Sequence, residues 1–322
     1  MSEKEFQKQK IIQKATELGF DLVGFASIEN PELKNNIDRY DVWLEQGHHA
    51  SMDYLKRHKE KKENPELFLE GVRTVIAVAM TYDTSEKSSD QGPLISKYTR
   101  GPDYHKILGD KLIQLKNFIL ENFPETKSRE FVDKDPVLDR FWAQAAGIGW
   151  LGKNTCLINR KLGSFIFLGG LMTSLELQES ELHPDHCGRC TKCIDACPTQ
   201  ALTEHHLKSE LCIGYHTIEN KGEVPESLSG KFGGWIAGCD ICQNVCPWNE
   251  PSTDNRFFPK TNEAYGSDFE TLVAWDEKEF KSKMKDIAMG RMKFSMFRRN
   301  LKTAIQNTDM NEERRKKLLT TF

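Results

Sequence analysis

Nine cysteines constrain this chain more than any other feature, because eight of them fall between positions 187 and 246 of its 322 residues. Four stand as C-x2-C-x2-C-x3-C-P, at Cys187, Cys190, Cys193 and Cys197 before Pro198. This is the bacterial ferredoxin run for a [4Fe–4S] cluster, in which three thiolates wrap one cubane and the fourth ligates a neighbouring cluster. A second run is therefore required. Cys239, Cys242 and Cys246 before Pro247 supply it with one thiolate missing, and Cys212, the one cysteine between the runs, completes it. The spacing assigns Cys187, Cys190, Cys193 and Cys246 to one cluster, and Cys197, Cys212, Cys239 and Cys242 to the other. Structural zinc prefers two C-x2-C pairs closed by four ligands, which a triple run with two CP endings fits poorly. Cys156, in KNTCLIN, reads as a small buried core residue in a strand.

Such clusters pass single electrons and do little bond chemistry themselves. A bare two-cluster carrier needs only about 70 residues, so the ~180 that precede them are expected to hold a second redox cofactor or the substrate. That part alternates helix and strand patterns. A capping box at Ser2-Glu3-Lys4-Glu5 opens a helix that runs to Gly19, and FDLVGFA (20–26) and RTVIAVAM (73–80) read as strands. Helices are expected over 31–46, 52–58, 103–122 and 137–146, and strands over 129–132, 156–159 and 165–173. This alternation implies an α/β or α+β domain with a central sheet over residues 1–178, followed by a two-cluster ferredoxin-like domain over 179–251 and a basic helical segment over 252–322.

Apolar stretches are all shorter than the ~20 residues that cross a bilayer, and the opening MSEKEFQKQK lacks an apolar signal core, so a cytoplasmic protein with no membrane partner is expected. The net charge of −3 is segregated. Residues 281–302 carry eight bases against Asp286, and KRHKEKK (56–62) carries five against Glu60, patches that suit a polyanion as well as a solvated helix face.

Two motifs invite a nucleotide reading. GIGWLG (147–152) matches G-x-G-x-x-G, and 147–153 matches G-x4-G-K. Both require a strand before and a helix after, whereas here a helix precedes and a strand follows, and Asn154 replaces the Ser or Thr that would hold magnesium. These glycines are expected instead to let a turn approach a bulky planar ligand, with Asn154 and Ser164 bonding its rim. Asp103-Tyr104-His105 is close to the D-x-H-x-x-G run that gives a histidine to cobalt in some corrinoid enzymes, but Gly109 comes one residue late, so His105 is expected at a ligand edge or in solvent. His48-His49 and His205-His206 lack metal spacing and read as surface or cap residues.

ISKYTRGPDYH (95–105), FVDKDPVLDRFWAQAAGIGWLGKNT (131–155), GSFIFLG (163–169), both cysteine runs, LCIGYHTIE (211–219) and MFRRNLKTAI (296–305) together resemble the epoxyqueuosine reductases. The resemblance implies an α+β fold class, with a cobalamin-binding α/β sandwich domain of the nitroreductase and reductive-dehalogenase type. It further implies two [4Fe–4S] clusters and reduction of epoxyqueuosine to queuosine at the wobble position of tRNA. It makes Asp133 the proton donor, its carboxyl kept protonated by burial, with Asp135 and Asp139 as competing acids. Lys134-Asp135 departs from the two small residues that usually follow the family's aspartate. Cobalamin or nucleobase contacts are implied at Arg57, Tyr98, Arg100, Asp133, Asn154 and Ser164. The two basic patches would hold tRNA phosphates, Arg298 and Arg299 among them. A monomer supplied by a separate reductant protein is expected. The rival functions are a corrinoid dehalogenase acting on a small molecule and a plain electron carrier.

Overall fold

Every residue of the strand Thr74–Thr81 is buried, and the first part of the chain is built around it. The computed structural model describes residues 2–82, 92–249 and 262–322. Contacts group them into two units, Met1–Thr81 with Tyr104–Cys190, and Tyr82–Asp103 with Thr191–Phe322. No helix among the described residues is long and apolar enough to cross a membrane.

In the first unit four strands lie in the order Leu22–Ser27, Thr74–Thr81, Ile166–Thr173, Ser128–Phe131, each antiparallel to its neighbour. An antiparallel sheet with helices on its faces is α+β, as expected. Alternation along a strand sends successive side chains to opposite faces, so Val75, Ala77 and Ala79 form a core with Phe141, Trp142 and Ala143 of the helix Asp139–Ala145. The opposite face carries the helix Tyr104–Asn122, whose Leu108, Leu112, Leu115 and Ile119 are buried at helical spacing. The first helix, Glu3–Glu17, begins at the expected cap, the Ser2 hydroxyl accepting the Glu5 amide at 3.2 Å. Strand and helix positions agree with the sequence expectations to within one or two residues.

Residues 179–190 belong to this unit, beyond the expected boundary at 178. The reason is a strap: Ser180 donates its amide to the Phe25 carbonyl at 2.9 Å, and its hydroxyl accepts the Phe25 amide at 3.0 Å.

The second unit is organised by the cysteine runs and by one apolar core. Ile95, Ile236, Phe269, Phe280, Phe297, Leu301 and Leu318 share that core, so the C-terminal residues pack with the cysteine segment. The expected boundary at 251/252 lies outside the described residues. Short strands unforeseen in the sequence appear at Leu94–Ile95, which pairs in parallel with Trp235–Ala237, and as the hairpin Leu202–Thr203 with His206–Leu207. Two- and three-residue strands leave too little alternation to read. The amphipathic helix Phe294–Asn307 buries Asn300, whose amide nitrogen donates to the carbonyls of Thr217 at 2.9 Å and Ile236 at 2.8 Å.

A single missing Cβ sets how closely the helix Asp139–Ala145 approaches the sheet. A Cβ on Gly24, in the strand Leu22–Ser27, would overlap the Ala146 carbonyl oxygen just past that helix. Gly24→Ala should therefore cost about 2–3 kcal/mol of unfolding free energy, as overpacking against backbone does. Gly230→Ala, with open space around it, should stay within about 0.5 kcal/mol of wild type. Denaturant titrations of the two variants check this, and equal midpoints would contradict the close approach.

Candidate active site and cluster ligands

The two cysteine runs fold as copies of one turn. Hydrogen bonds from Ile194 to Thr191, Asp195 to Thr191, Ala196 to Lys192, Cys197 to Ile194 and Gln200 to Cys197 recur 49 residues later. There they run from Gln243 to Asp240, Asn244 to Asp240, Val245 to Ile241, Cys246 to Gln243 and Asn249 to Cys246. Each copy holds a one-turn helix, Lys192–Asp195 or Ile241–Asn244, and the two helices pack together. Proline after the last cysteine ends each turn where a helix would need another N–H.

Cys197, Cys212 and Cys239 lie close enough for their charges to interact. Burial pushes the Cys239 thiol up to about 12 and raises that of Cys212, while backbone amides pull the other way: Ile241 on Cys239, Tyr215 and Gly214 on Cys212. The Ala201 amide donates to the Cys197 sulfur at 3.4 Å. Half-buried thiols that accept from backbone amides suit a cluster, which takes thiolates and is tuned by hydrogen bonds to sulfur. In the first unit the Cys187 thiol is raised by burial and lowered by bonds from the Lys153 amide and the Trp150 indole.

Asp133 occupies the loop between the strand Ser128–Phe131 and the helix Asp139–Ala145. Its φ of 33° lies in the left-handed region that non-glycine residues avoid. Tyr104 donates its phenol to Asp133 Oδ2 at 2.7 Å, and His105 Nε2 lies 3.1 Å from the same oxygen. The Tyr104 ring stacks on His105 at 4.0 Å and on Phe167 at 4.3 Å, so both partners of Asp133 come preset from the start of the helix Tyr104–Asn122.

Burial does not favour Asp133 as the protonated acid. Its side chain is 56% exposed, whereas that of His105 is 6% exposed. The desolvated carboxyl is that of Asp139, pushed up to about 6 first by burial and then by the Asp133 charge, against smaller opposing effects of its backbone, Arg140 and Lys62. Asp135, the other competitor, turns back to accept the Val132 amide at 3.0 Å and serves the loop.

Other expectations divide. Asn154 is buried at the turn of the hairpin Trp150–Leu151 with Leu157–Ile158; its Oδ1 accepts the Cys156 amide at 3.2 Å and its Nδ2 has no partner among the described residues. A hairpin at this point removes the nucleotide-loop readings. It also corrects the reading of the glycines. A Cβ on Gly147 or Gly149 would overlap the carbonyl oxygen of Glu181 or Ile158, so these glycines admit the chain's own backbone, not a ligand. Ser164 is buried and Arg57 exposed in the same unit. Tyr98 and Arg100 belong to the second unit, where Arg100 is buried over the Tyr265 ring at 4.2 Å. Cys156 is half-buried and precedes its strand, and His49 is buried against the edge of Trp43.

The basic patches change most. Arg299 donates to the carbonyls of Asn220, Gly222 and His216, and Arg298 to those of Val273 and Thr321 while stacking on Phe322 at 4.0 Å. Both guanidiniums hold the fold together. Lys62 is buried with its ammonium 3.0 Å from the Tyr40 phenol, and Lys59 pairs with Asp41 and Glu63. Exposed charge remains on Lys56, Arg57 and Lys61, and on Lys285, Lys293 and Lys302.

Residues 186–249 match the family described as 4Fe-4S double cluster binding domain, and residues 62–134 the one described as Epoxyqueuosine reductase QueG, DUF1730. The chain is 40% identical over 293 residues to an epoxyqueuosine reductase of Leadbetterella byssophila, a match covering 89% of this chain and 94% of that protein. A crystal structure of epoxyqueuosine reductase with an epoxyqueuosine-modified tRNA-Tyr stem loop superposes with a TM-score of 0.81 at 27% identity, covering 94% of this chain and 82% of that one. A structure of the Bacillus subtilis enzyme with an aspartate catalytic loop swung out of the active site superposes at 0.80 and 26% identity with the same coverage.

The raised Asp139 carboxyl makes stability depend on pH. A carboxyl whose folded value exceeds its ordinary 3.8 favours the fold while protonated, so its contribution is present below about 3.8 and lost as pH rises through about 6. Between pH 4 and 7 the wild type should lose about 2 kcal/mol relative to Asp139→Asn, read from urea titrations. Parallel stability curves would show that Asp139 titrates normally.

Proposed function

Because the chain belongs to the epoxyqueuosine reductase family of oxidoreductases, we propose that it reduces epoxyqueuosine to queuosine at the wobble position of tRNA. The near full-length match carries this reading, and the paired cysteine turns supply the electron path it needs. Taking an epoxide oxygen away to leave an alkene consumes two electrons and two protons, the oxygen departing as water. The clusters would be held by Cys187, Cys190, Cys193 and Cys246, and by Cys197, Cys212, Cys239 and Cys242. Their single electrons would come from a separate reductant protein, with the enzyme acting as a monomer.

Cobalamin is the proposed second cofactor, and when bound it supplies a strongly reducing cobalt centre close to carbon. One feature of the first unit fits such a group: the buried Asn154 Nδ2 has no partner among the described residues, and an amide or phosphate oxygen of a corrinoid would satisfy it. Arg57 and Ser164 are proposed contacts in the same unit, and Tyr98 and Arg100 are kept on resemblance alone. Asp133 gives its proton to the departing oxygen. Its exposed carboxyl can be reached by substrate, and a hydrogen-bonded carboxylate is stabilised once the proton has gone.

The relative solved with a tRNA stem loop supports the polyanion reading of this chain's free lysines. Each phosphate contact releases counterions, so binding falls with salt roughly in proportion to the number of contacts. Lys293→Glu with Lys302→Glu should weaken stem-loop binding and flatten the log–log salt slope by about 1–2. An unchanged slope would show those lysines to be only solvated surface.

The deciding assay incubates the reconstituted protein with epoxyqueuosine tRNA, cobalamin and a reductant, and weighs the released nucleosides. Loss of one oxygen is expected from wild type. Asp133→Asn should lower the rate by at least about 100-fold with iron, sulfide and cobalamin content unchanged. Full turnover by that variant would remove Asp133 from its role.

A further inference from the structure

A hydroxyl shut away from water needs a partner, and Thr199 is only 4% exposed. Its oxygen lies 3.6 Å from the Cys197 sulfur, and it makes no other hydrogen bond among the described residues. A neutral thiol accepts weakly, whereas a thiolate accepts strongly. The pairing therefore contributes little unless the sulfur is charged, as it is when bound to iron. We propose that the Thr199 hydroxyl donates to the Cys197 sulfur and so raises the reduction potential of the cluster held by Cys197, Cys212, Cys239 and Cys242; this rests on the cluster assignment above. With a thiol the hydrogen can lie on either atom. An iron-bound thiolate carries no proton, so the hydrogen must then come from Thr199.

The turn after the cysteine aims a second donor at the same atom. Ala201 donates its amide to Cys197 Sγ at 3.4 Å. Gln200, between the two donors, holds φ 55°, a left-handed angle that a non-glycine residue keeps where its surroundings over-determine it. Cys212 and Cys239 also accept from amides, those of Tyr215 and Gly214 and that of Ile241. Such donors belong to the backbone, while Thr199 is a side chain whose hydroxyl one substitution removes. The two cysteine turns are copies 49 residues apart, and the position matching Thr199 is Trp248, an indole in place of a hydroxyl. The copies thus differ chemically just after the last cysteine of each run, which lets two like centres hold unlike potentials.

Reduction brings in one electron from the separate reductant protein. No bond is made or broken, the hydroxyl keeps its proton, and the added negative charge spreads over the sulfurs. A donor to sulfur stabilises that more negative state, so an electron is held more strongly than it would be without Thr199.

The test is potentiometry of the reconstituted protein read by EPR, after iron and sulfide have been counted. Wild type should hold two [4Fe–4S] clusters and show two one-electron steps. In Thr199→Val, which puts a methyl where the hydroxyl was, the reduced-to-oxidised ratio of one cluster at fixed potential should fall about tenfold, a shift of about 59 mV to lower potential. The other cluster should stay within about twofold, and Thr199→Ser, which keeps the hydroxyl, should stay close to wild type at both. Thr199→Ala repeats the comparison if valine prevents cluster assembly. Neither cluster moving, both moving alike, or serine shifting as far as valine would overturn the proposal. A second readout does not depend on potential: in deuterium ENDOR of the reduced protein reconstituted in deuterium oxide, the valine variant should lose one exchangeable coupling that the serine variant retains. An unchanged valine spectrum overturns the hydrogen bond. Wild type that assembles no clusters sinks the cluster assignment and the proposal together, whereas two clusters with unmoved potentials sink the proposal alone.

Discussion

A thiol drawn partly out of water resists ionisation, and this protein brings several half-buried ones together. Cys239 and Cys212 are held in surroundings that oppose the thiolate, within reach of Cys197, while backbone amides are already turned toward the sulfurs. Such an arrangement suits a metal centre that takes the thiolates, since iron deprotonates its sulfur ligands and the amides then bond to charged sulfur. The folding of the second unit follows from that demand. Two ten-residue turns repeat the same hydrogen-bond ladder 49 residues apart, and the apolar core formed by Ile95, Ile236 and Phe297 closes beside them. Regular secondary structure in between is slight, two- and three-residue strands and single-turn helices, because ligation can replace the cooperative ladders that longer elements would otherwise provide.

How legible all this was depended on the range of the interaction involved. The cysteine turns, the capping box at Ser2 and the strand Thr74–Thr81 could be read because each is specified by residues a few positions apart. The approach of Tyr104 and His105 to Asp133 could not, for these residues lie 29 and 28 positions from it and meet it only through the packing of the helix Tyr104–Asn122 on the sheet. A signal did exist in the Tyr-His pair at that helix's first turn, but spacing alone read it as a corrinoid motif missing its glycine. The glycines 147 and 149 misled for a related reason. A glycine shows that something passes close by, and only the fold shows whether it is a ligand or, as here, a carbonyl of the same chain.

Charge was the least transferable reading. Counting bases over 281–302 treats each as free, yet two of the eight are arginines whose guanidiniums are turned onto backbone carbonyls. Arginine suits that work because its planar fork offers several donors at fixed angles and is only weakly hydrated. Lysine, a compact ammonium on a flexible stem, is more readily left at the surface, and Lys285, Lys293 and Lys302 are exposed. Over 56–62 the split runs through the lysines themselves, with Lys62 buried against Tyr40 and Lys59 paired with Asp41 and Glu63. The surface available to a polyanion is thus smaller and more lysine-rich than the sequence count, and binding through it should be dominated by point charges more than by bidentate phosphate contacts.

The two acids near the candidate site illustrate how one small region can hold protons with different readiness. Asp133 is open to solvent and met at one oxygen by Tyr104 and His105; Asp139, one helix start away, is desolvated and feels the charge of its neighbour. The charge of Asp133 adds to burial in raising the Asp139 carboxyl, because a second negative charge nearby disfavours ionisation. Burial favours the protonated form of Asp139, whereas Asp133 stands in solvent. A substrate or cofactor that excluded water from Asp133 would weaken that contrast, raising the proton affinity of the exposed carboxyl just where a departing oxygen needs it. Protonation of Asp133 would then be coupled to occupancy of the site, with the neighbouring Asp139 and Lys62 setting the local charge from which it shifts.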